Sequence, residues 1–166
     1  MKEILNKEPV QRVKNKLKEF DKSLEVVVLD SSARTAKDAA ESLKTEVGSI
    51  VKSLLLRTKT SFLLCLIAGD KRCSLNKIKK ILNQKDVSMA NADQVKEITG
   101  FTIGGVSPVG HLDKIDIFID VSLKRFANIF AAAGHPHSIF KIDFENLCKI
   151  TGGSVQDISE WEIQNR

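Results

Sequence analysis

The chain has 166 residues, of which 42% are hydrophobic and 28% are charged, and its formal net charge is +5 at pH 7. A chain of this size can bury a core without disulfides, so we predict one domain over residues 1–166. The three cysteines lack C-x-x-C spacing, which argues against a structural zinc site. The longest apolar run, Phe62–Ala68, is far shorter than the roughly 20 residues of a spanning helix, and the opening residues do not resemble a signal peptide, so we expect a cytoplasmic protein without membrane contact.

Patterns in the first half of the chain predict helices that alternate with strands. Apolar residues spaced by three or four predict a helix over residues 9–20, and the β-branched run 25–29 predicts a buried strand. Thr35 is expected to cap a helix that continues to Leu43. The segment around Lys52 is expected to pair with Phe62–Ala68 as a neighbouring strand.

Patterns in the second half predict three capped helices and three strands. The expected N-caps are Ser74, Asn91 and Asp143, which start helices ending near residues 82, 99 and 150. The expected strands are residues 115–121, 127–132 and 138–142. Because strands outnumber those of a simple βαβ series, we predict an α+β fold with helices around a mixed, strongly curved sheet.

Residues 104–110, which we call the glycine loop, contain three glycines and one proline. Glycine permits positive φ and an exposed N–H, so such a loop suits close approach of backbone donors to a phosphate or an ester carbonyl. A tight turn between a helix and a strand explains the same composition. The loop lacks the flanking elements and the lysine of a P-loop or Rossmann fingerprint, which sets those nucleotide-binding sites aside.

Lys52 lies within an apolar run that includes Val51 and Leu54. A lysine in such surroundings either extends its ammonium to the surface or points into a pocket that holds an anion. Strand alternation places Val51 and Ser53 on the face opposite Lys52, which leaves both interpretations open.

Histidines and possible nucleophiles form the third candidate group. His135 and His137 flank Pro136 after three alanines, and no spacing supplies the further ligands that a metal site requires. A histidine that lines a small polar pocket and one that is satisfied in the core are both compatible with this segment. No G-x-S-x-G elbow, catalytic triad or activated cysteine can be identified.

Five groups of residues have an order and spacing that resemble one protein family. They are Thr35-Ala36-x-x-Ala39-Ala40-x-x-Leu43, Val47-Gly48-x-Ile50-Val51-Lys52-Ser53-Leu54, Gly100-Phe101-x-Ile103-Gly104-Gly105-Val106-Ser107-Pro108-Val109-Gly110, Ala132-x-Gly134-x-Pro136-His137 and Leu147-x-x-x-Thr151-Gly152-Gly153-x-Val155-x-Asp157-Ile158. Together they look like the YbaK/prolyl-tRNA synthetase-associated domain family, whose members are freestanding relatives of the editing domain of bacterial prolyl-tRNA synthetase. The resemblance covers residues 26–158 and implies a compact α+β domain with a barrel-like sheet.

The resemblance also implies hydrolysis of wrongly charged aminoacyl-tRNA and a role for individual residues. Lys52 matches the family's functional lysine, which contacts the phosphate of the terminal nucleotide or positions the ester. Residues 104–108 match a G-x-x-x-P loop whose backbone amides face the aminoacyl carbonyl, and residues 134–137 resemble a loop whose histidine shapes the amino-acid pocket. The implied catalytic residues are Lys52, Gly104 and Gly105, and the implied substrate-binding residues are Thr35, Val106, Ser107, Pro108, Gly110, Gly134 and His137.

The implied chemistry needs neither a cofactor nor a metal. An aminoacyl ester is already activated, so a positioned water, assisted by the ribose hydroxyl of the substrate, suffices without a covalent intermediate. The expected partner is the acceptor end of aminoacyl-tRNA, which the sequence pI near 9.1 suits, and an aminoacyl-tRNA synthetase is a second candidate partner.

Two other functions remain compatible with the sequence. One is a tRNA- or nucleotide-binding module that kept the fold and lost hydrolysis, and the other is a scaffold bound to the ribosome or to a synthetase. The scaffold leaves the glycine loop unexplained. Cysteine, alanine, serine and threonine are all candidates for the amino acid removed, and several oligomeric states are compatible with the chain.

Overall fold

Residues 2–162 are described by the computed structural model. The helices are α1 (Lys2–Leu5), α2 (Glu8–Phe20), α3 (Ala36–Leu43), α4 (Leu75–Leu82), α5 (Ala92–Thr99) and α6 (Phe144–Thr151). The strands are β1 (Val26–Val28), β2 (Ile50–Arg57), β3 (Phe62–Ala68), β4 (Lys71–Cys73), β5 (Ser88–Met89), β6 (Asp116–Asp120), β7 (Ile129–Ala132), β8 (Ser138–Ile142), β9 (Ser154–Gln156) and β10 (Ser159–Trp161). Short 3₁₀ helices span Val47–Ser49 and Val121–Arg125.

The main sheet mixes parallel and antiparallel pairs in the order β1-β8-β7-β2-β3-β6-β9, and β4 and β10 form a separate two-stranded sheet. One edge of β2 pairs with β3 along most of its length. The other edge pairs with β7 only at Ile50 and Val51 and with β5 only at Leu56 and Arg57. Within residues 2–162 no strand pairs with residues 52–54 on that side, so the sheet has an opening along the middle of β2.

Two clusters of buried side chains lie on opposite faces of β2 and β3. Successive side chains of a strand alternate between faces, so β3 contributes to both clusters, and this explains its continuous apolar sequence. The larger cluster packs β3 against helices α2 and α6 through Leu64, Leu66, Val13, Leu17 and Leu147. The smaller cluster packs β3 against helix α4 and the chain before β10 through Leu63, Cys65, Ile67, Ile78 and Ile158.

The structure confirms the predicted α+β fold with its mixed, curved sheet. The four predicted N-caps are also confirmed, because the side chains of Thr35, Ser74, Asn91 and Asp143 each accept the N–H three residues ahead. The strand expected from residue 127 begins two residues later. Helix α1 and strands β4, β5, β9 and β10 were not predicted, since these segments of two to four residues show neither a period nor an apolar run like those of β1 and β7. The predicted domain limits, residues 1 and 166, lie outside the described residues.

Candidate active site

A cavity of about 800 Å³ lies at the opening along β2. The strand presents its edge to this cavity, so Lys52 and Ser53 both line it although their side chains leave opposite faces of the sheet. The other walls come from the N-terminal end of α3, from the glycine loop with the residue before it, and from β7. These walls contribute Thr35, Ala36, Ile103, Gly104, Val106, Phe130, Ala131 and Ala132.

The Lys52 ammonium lies at the wall of this cavity rather than free in solvent. Its Nζ donates a hydrogen bond to the backbone oxygen of Lys71 and lies 3.4 Å from a carboxylate oxygen of Glu162. Lys71 belongs to β4 and Glu162 follows β10, so the two-stranded sheet supplies both partners. The side chain is 24% exposed. The Lys71 carbonyl and the Glu162 carboxylate use two of the three N–H donors of this ammonium, so one remains for an anionic or ester oxygen of a ligand.

Asp70 is a second charged residue of the cavity, and the sequence analysis did not identify it. Its two carboxylate oxygens accept hydrogen bonds of 2.7 and 2.9 Å from the Arg125 guanidinium. The Arg125 guanidinium holds the pKa of Asp70 below its usual value. A Cβ at Gly48 would lie 2.7 Å from the Phe126 ring and 2.8 Å from this carboxylate, so a larger residue there would displace one of these side chains.

The glycine loop presents only part of its backbone to the cavity. Gly104 has a φ of +95° and lies against the side chain of Arg34, and both Gly104 and Val106 line the cavity. Gly105 is buried, and its N–H donates to the Thr102 carbonyl oxygen at 2.9 Å. Within residues 2–162 no such main-chain hydrogen bond is found for the N–H groups of Gly104 and Val106. Because Gly104 and Val106 also line the cavity, their N–H groups are candidate donors to a ligand.

Ser107, Pro108 and Gly110 do not line the cavity. The Ser107 hydroxyl accepts the Val109 N–H at 3.2 Å, and Pro108 is buried beside it. Gly110 has a φ of +81°, and its carbonyl oxygen accepts a 2.9 Å hydrogen bond from Nε of Arg12 on helix α2. The second half of the loop therefore fixes the first half to helix α2.

His137 and Gly134 also lie outside the lining of the cavity. A hydrogen bond of 3.3 Å joins His137 Nδ1 and the Leu29 carbonyl oxygen, beside β1. The His137 N–H donates to Nδ1 of His135 at 3.0 Å. Gly134 has a φ of +93°, and a Cβ there would lie 2.8 Å from the Pro9 backbone, so this glycine permits close packing against α2. The structure thus connects His137 to β1.

The Thr35 hydroxyl has a structural role at the cavity wall, because it accepts the Asp38 N–H at 3.1 Å and so caps helix α3. The Ser53 hydroxyl has no hydrogen-bond partner within residues 2–162, although it is shielded from solvent. A buried hydroxyl without a partner is costly, so Ser53 lowers the stability of this part of β2. The sequence shows only that Ser53 and Lys52 leave opposite faces of β2. It does not show that the edge of the strand is open there, which is why Ser53 was not predicted as a site residue.

The described part of the chain has neither a metal-ligand cluster nor a membrane-spanning helix. Residues 2–162 contain no group of three or more His, Cys, Asp or Glu side chains placed to hold a metal ion. No helix in this part of the chain combines the length and the apolar character needed to cross a bilayer.

Known proteins resemble this chain over most of its length. The model of the aminoacyl-tRNA editing domain matches residues 30–150. A proline–tRNA ligase of Kosmotoga olearia is 38% identical over 108 residues, which is 65% of this chain and 18% of the ligase. The uncharacterized protein YwhH of Bacillus subtilis is 29% identical over 156 residues, which is 92% of this chain and 99% of that protein. A solved structure described as a candidate trans-editing enzyme for prolyl tRNA synthetase has 35% identity and a TM-score of 0.87, and the match covers 93% of this chain and 98% of that one.

The main sheet of this chain is mixed, and a solved structure matches the fold at a TM-score of 0.87. This match assigns the chain to the class of editing-domain folds. The chain belongs to the aminoacyl-tRNA editing domain family, since the family model covers residues 30–150. This confirms the resemblance found in the sequence. The chain spans about a fifth of the length of the proline–tRNA ligase that it matches.

Proposed function

We propose that this protein hydrolyses misacylated tRNA in trans, at the ester between a small non-cognate amino acid and the 3′-terminal adenosine. The observation that carries the proposal is that Lys52, Gly104 and Val106 line one cavity, while no main-chain acceptor is found within residues 2–162 for the N–H groups of Gly104 and Val106. A cavity that combines apolar walls with cations and backbone donors is suited to an aminoacyl ester that is attached to a phosphorylated nucleotide. The membership in the editing family supports the same activity.

In the proposed reaction, Lys52 contacts the phosphate of the terminal nucleotide or the ester, and thereby places the carbonyl beside the glycine loop. The N–H groups of Gly104 and Val106 stabilise the negative charge that develops on the carbonyl oxygen. A water attacks the carbonyl carbon with help from the free ribose hydroxyl, the ester C–O bond breaks, and the products are the free amino acid and the tRNA hydroxyl.

We propose that the size of the cavity near β7 selects the amino acid. Ala131 and Ala132 line this part, and their small side chains leave space for an amino-acid side chain that a larger residue at either position would fill. His137 does not line the cavity, so we assign it an indirect role, in which it holds residues 134–137 against β1 through the Leu29 carbonyl. Ser107, Pro108, Gly110 and Gly134 have the same kind of role, since they fix the two loops in place.

A deacylation panel tests the proposal. The purified protein is incubated with tRNAs charged with cysteine, alanine, serine or threonine, and amino-acid release is compared with spontaneous hydrolysis. A parallel series with a prolyl-tRNA synthetase asks whether that partner is needed. We expect accelerated release from at least one charged tRNA. Binding to charged tRNA without accelerated release would instead support the alternative, a tRNA-binding module that has lost hydrolysis.

A further inference from the structure

Trp161 is an exposed aromatic side chain between two cations. It is the only tryptophan of the chain and is 62% exposed at the end of β10. The Lys71 Nζ lies 4.5 Å from the centroid of its ring system, and the guanidinium carbon of Arg125 lies 5.2 Å from it. A large exposed aromatic ring with adjacent cations combines a surface for stacking with charges that attract phosphate.

This ring is connected to the cavity through two sets of contacts. Lys71 pairs directly with Trp161 across β4 and β10, and the Lys71 carbonyl oxygen is the acceptor for Lys52. Arg125 holds Asp70, which lines the cavity. Glu162, the residue after Trp161, contacts the Lys52 ammonium. A tRNA that places its terminal nucleotide at Lys52 would therefore have neighbouring nucleotides near Trp161.

The strand that carries Trp161 is fixed at its start by a buried carboxylate. Asp120 accepts hydrogen bonds from the Ile158 N–H at 2.9 Å, from the Ser159 hydroxyl at 2.7 Å and from the Ser122 hydroxyl. Glu160 forms a further ion pair with Arg72 of β4 at 3.0 Å. The ring is thus presented by an anchored strand, and a rigid surface loses little conformational freedom when a ligand stacks on it.

We propose that Trp161 stacks on a nucleobase of the unpaired 3′ end of tRNA, while Lys71 and Arg125 contact the adjacent phosphate. This proposal rests on the proposed function, because it names the surface that would hold the substrate of the same cavity. The residues beside the ring favour nucleic acid over a protein partner, since the two side chains placed against it, Lys71 and Arg125, are cations and do not extend an apolar patch. A base that stacks on the ring replaces the Lys71 ammonium, which is then free to pair with the phosphate of that base. Arg125 stays paired with Asp70 and offers its remaining N–H groups.

The intrinsic fluorescence of the chain provides a direct assay. With one tryptophan and no tyrosine, all emission after excitation near 280 nm reports on Trp161. We expect the trinucleotide CCA to quench this emission in a saturable manner. An abasic trinucleotide with the same phosphates should bind without comparable quenching. Equal quenching by the abasic and the complete trinucleotide would overturn stacking on the ring.

Substitutions at the same position give an independent test. Trp161→Ala should raise the KM for charged tRNA by roughly five- to one-hundred-fold, since this is the typical effect of losing one stacked base, and should leave kcat nearly unchanged. Trp161→Phe keeps an aromatic ring and should restore most of the affinity. Circular dichroism checks that both variants retain the fold. An unchanged KM in Trp161→Ala would refute the stacking surface.

Failure of this proposal can be distinguished from failure of the proposed function. If the wild-type protein releases amino acid from a charged tRNA and Trp161→Ala has the same KM, only the stacking surface is refuted. If the wild-type protein hydrolyses no member of the panel but CCA still quenches Trp161 and the abasic analogue does not, the deacylase proposal fails and the stacking surface is supported.

Discussion

The contact between the two loops of the site can be tested with Gly105→Ala. A Cβ at this position would lie 2.9 Å from the His135 backbone nitrogen and 3.1 Å from the Gly134 carbonyl carbon. Backbone atoms cannot rotate away as a side chain can, so the glycine loop must move from residues 134–137 by several tenths of an ångström. Overpacking of this kind costs about 1–3 kcal/mol, which lowers the Tm of a chain of this size by roughly 2–12 °C.

The same displacement would move Gly104 and Val106 relative to Lys52. Because small errors in the position of reacting groups are costly, we expect single-turnover deacylation by Gly105→Ala to fall by roughly ten- to one-hundred-fold. Gly152→Ala is the matched control: its φ is +66°, and a Cβ there would meet no atom within 4 Å, so it adds only local backbone strain. Thermal unfolding and deacylation are measured on all three proteins. If Gly105→Ala loses as much stability as Gly152→Ala but keeps the wild-type deacylation rate, the contact between the glycine loop and residues 134–137 does not position the site.

Three further predictions concern selectivity, stability and tRNA binding. Ala132→Val should reduce release of threonine by about tenfold more than release of alanine. His137→Ala should slow release of all amino acids equally. If His137→Ala instead changes the ranking of the substrates, this histidine contacts the amino acid directly. Asp120→Asn weakens charge-assisted hydrogen bonds worth about 2 kcal/mol and should lower Tm at pH 7 by roughly 4–8 °C. Burial raises the pKa of Asp120, but hydrogen bonds from Ser122, Ile158 and Ser159 outweigh burial and lower that pKa. The ionised carboxylate therefore stabilises the folded protein above about pH 4, and this stabilisation is lost as the pH falls through the folded-state pKa. The Tm difference between wild type and Asp120→Asn should therefore shrink below about pH 4, and a constant difference would contradict this role. Raising the salt concentration should weaken tRNA binding through lost counterion release, and salt-independent binding would indicate a small-molecule ligand.

Elements with a clear period or cap could be predicted from the sequence. Helix α2 is long enough to repeat its apolar spacing, and capping residues such as Asn91 and Asp143 act within four residues of chain. Strand β3 was predicted from its continuous apolar sequence. These features depend on local interactions or on burial of whole segments, which are visible in the order of residues.

The geometry of the candidate site depends on short elements and long-range pairing, which the sequence does not reveal. Lys52 was identified, but both of its partners come from the region of β4 and β10, two strands of three residues. The sequence also could not separate Gly104, which lines the cavity, from Gly105, whose N–H is used in a turn. The position of His137 depends on the pairing of β1 with β8, which joins residues more than 100 positions apart.

The most direct test of the proposed active site is the single-turnover deacylation rate of Lys52→Ala. Lys59→Ala is the matched control, because Lys59 is an exposed lysine in the turn between β2 and β3. We expect Lys52→Ala to lose at least about tenfold in rate, which corresponds to 1.4 kcal/mol, and Lys59→Ala to match the wild type, with both variants folded by circular dichroism. A Lys52→Ala protein with the wild-type rate on every tRNA that the parent deacylates would contradict the proposed site.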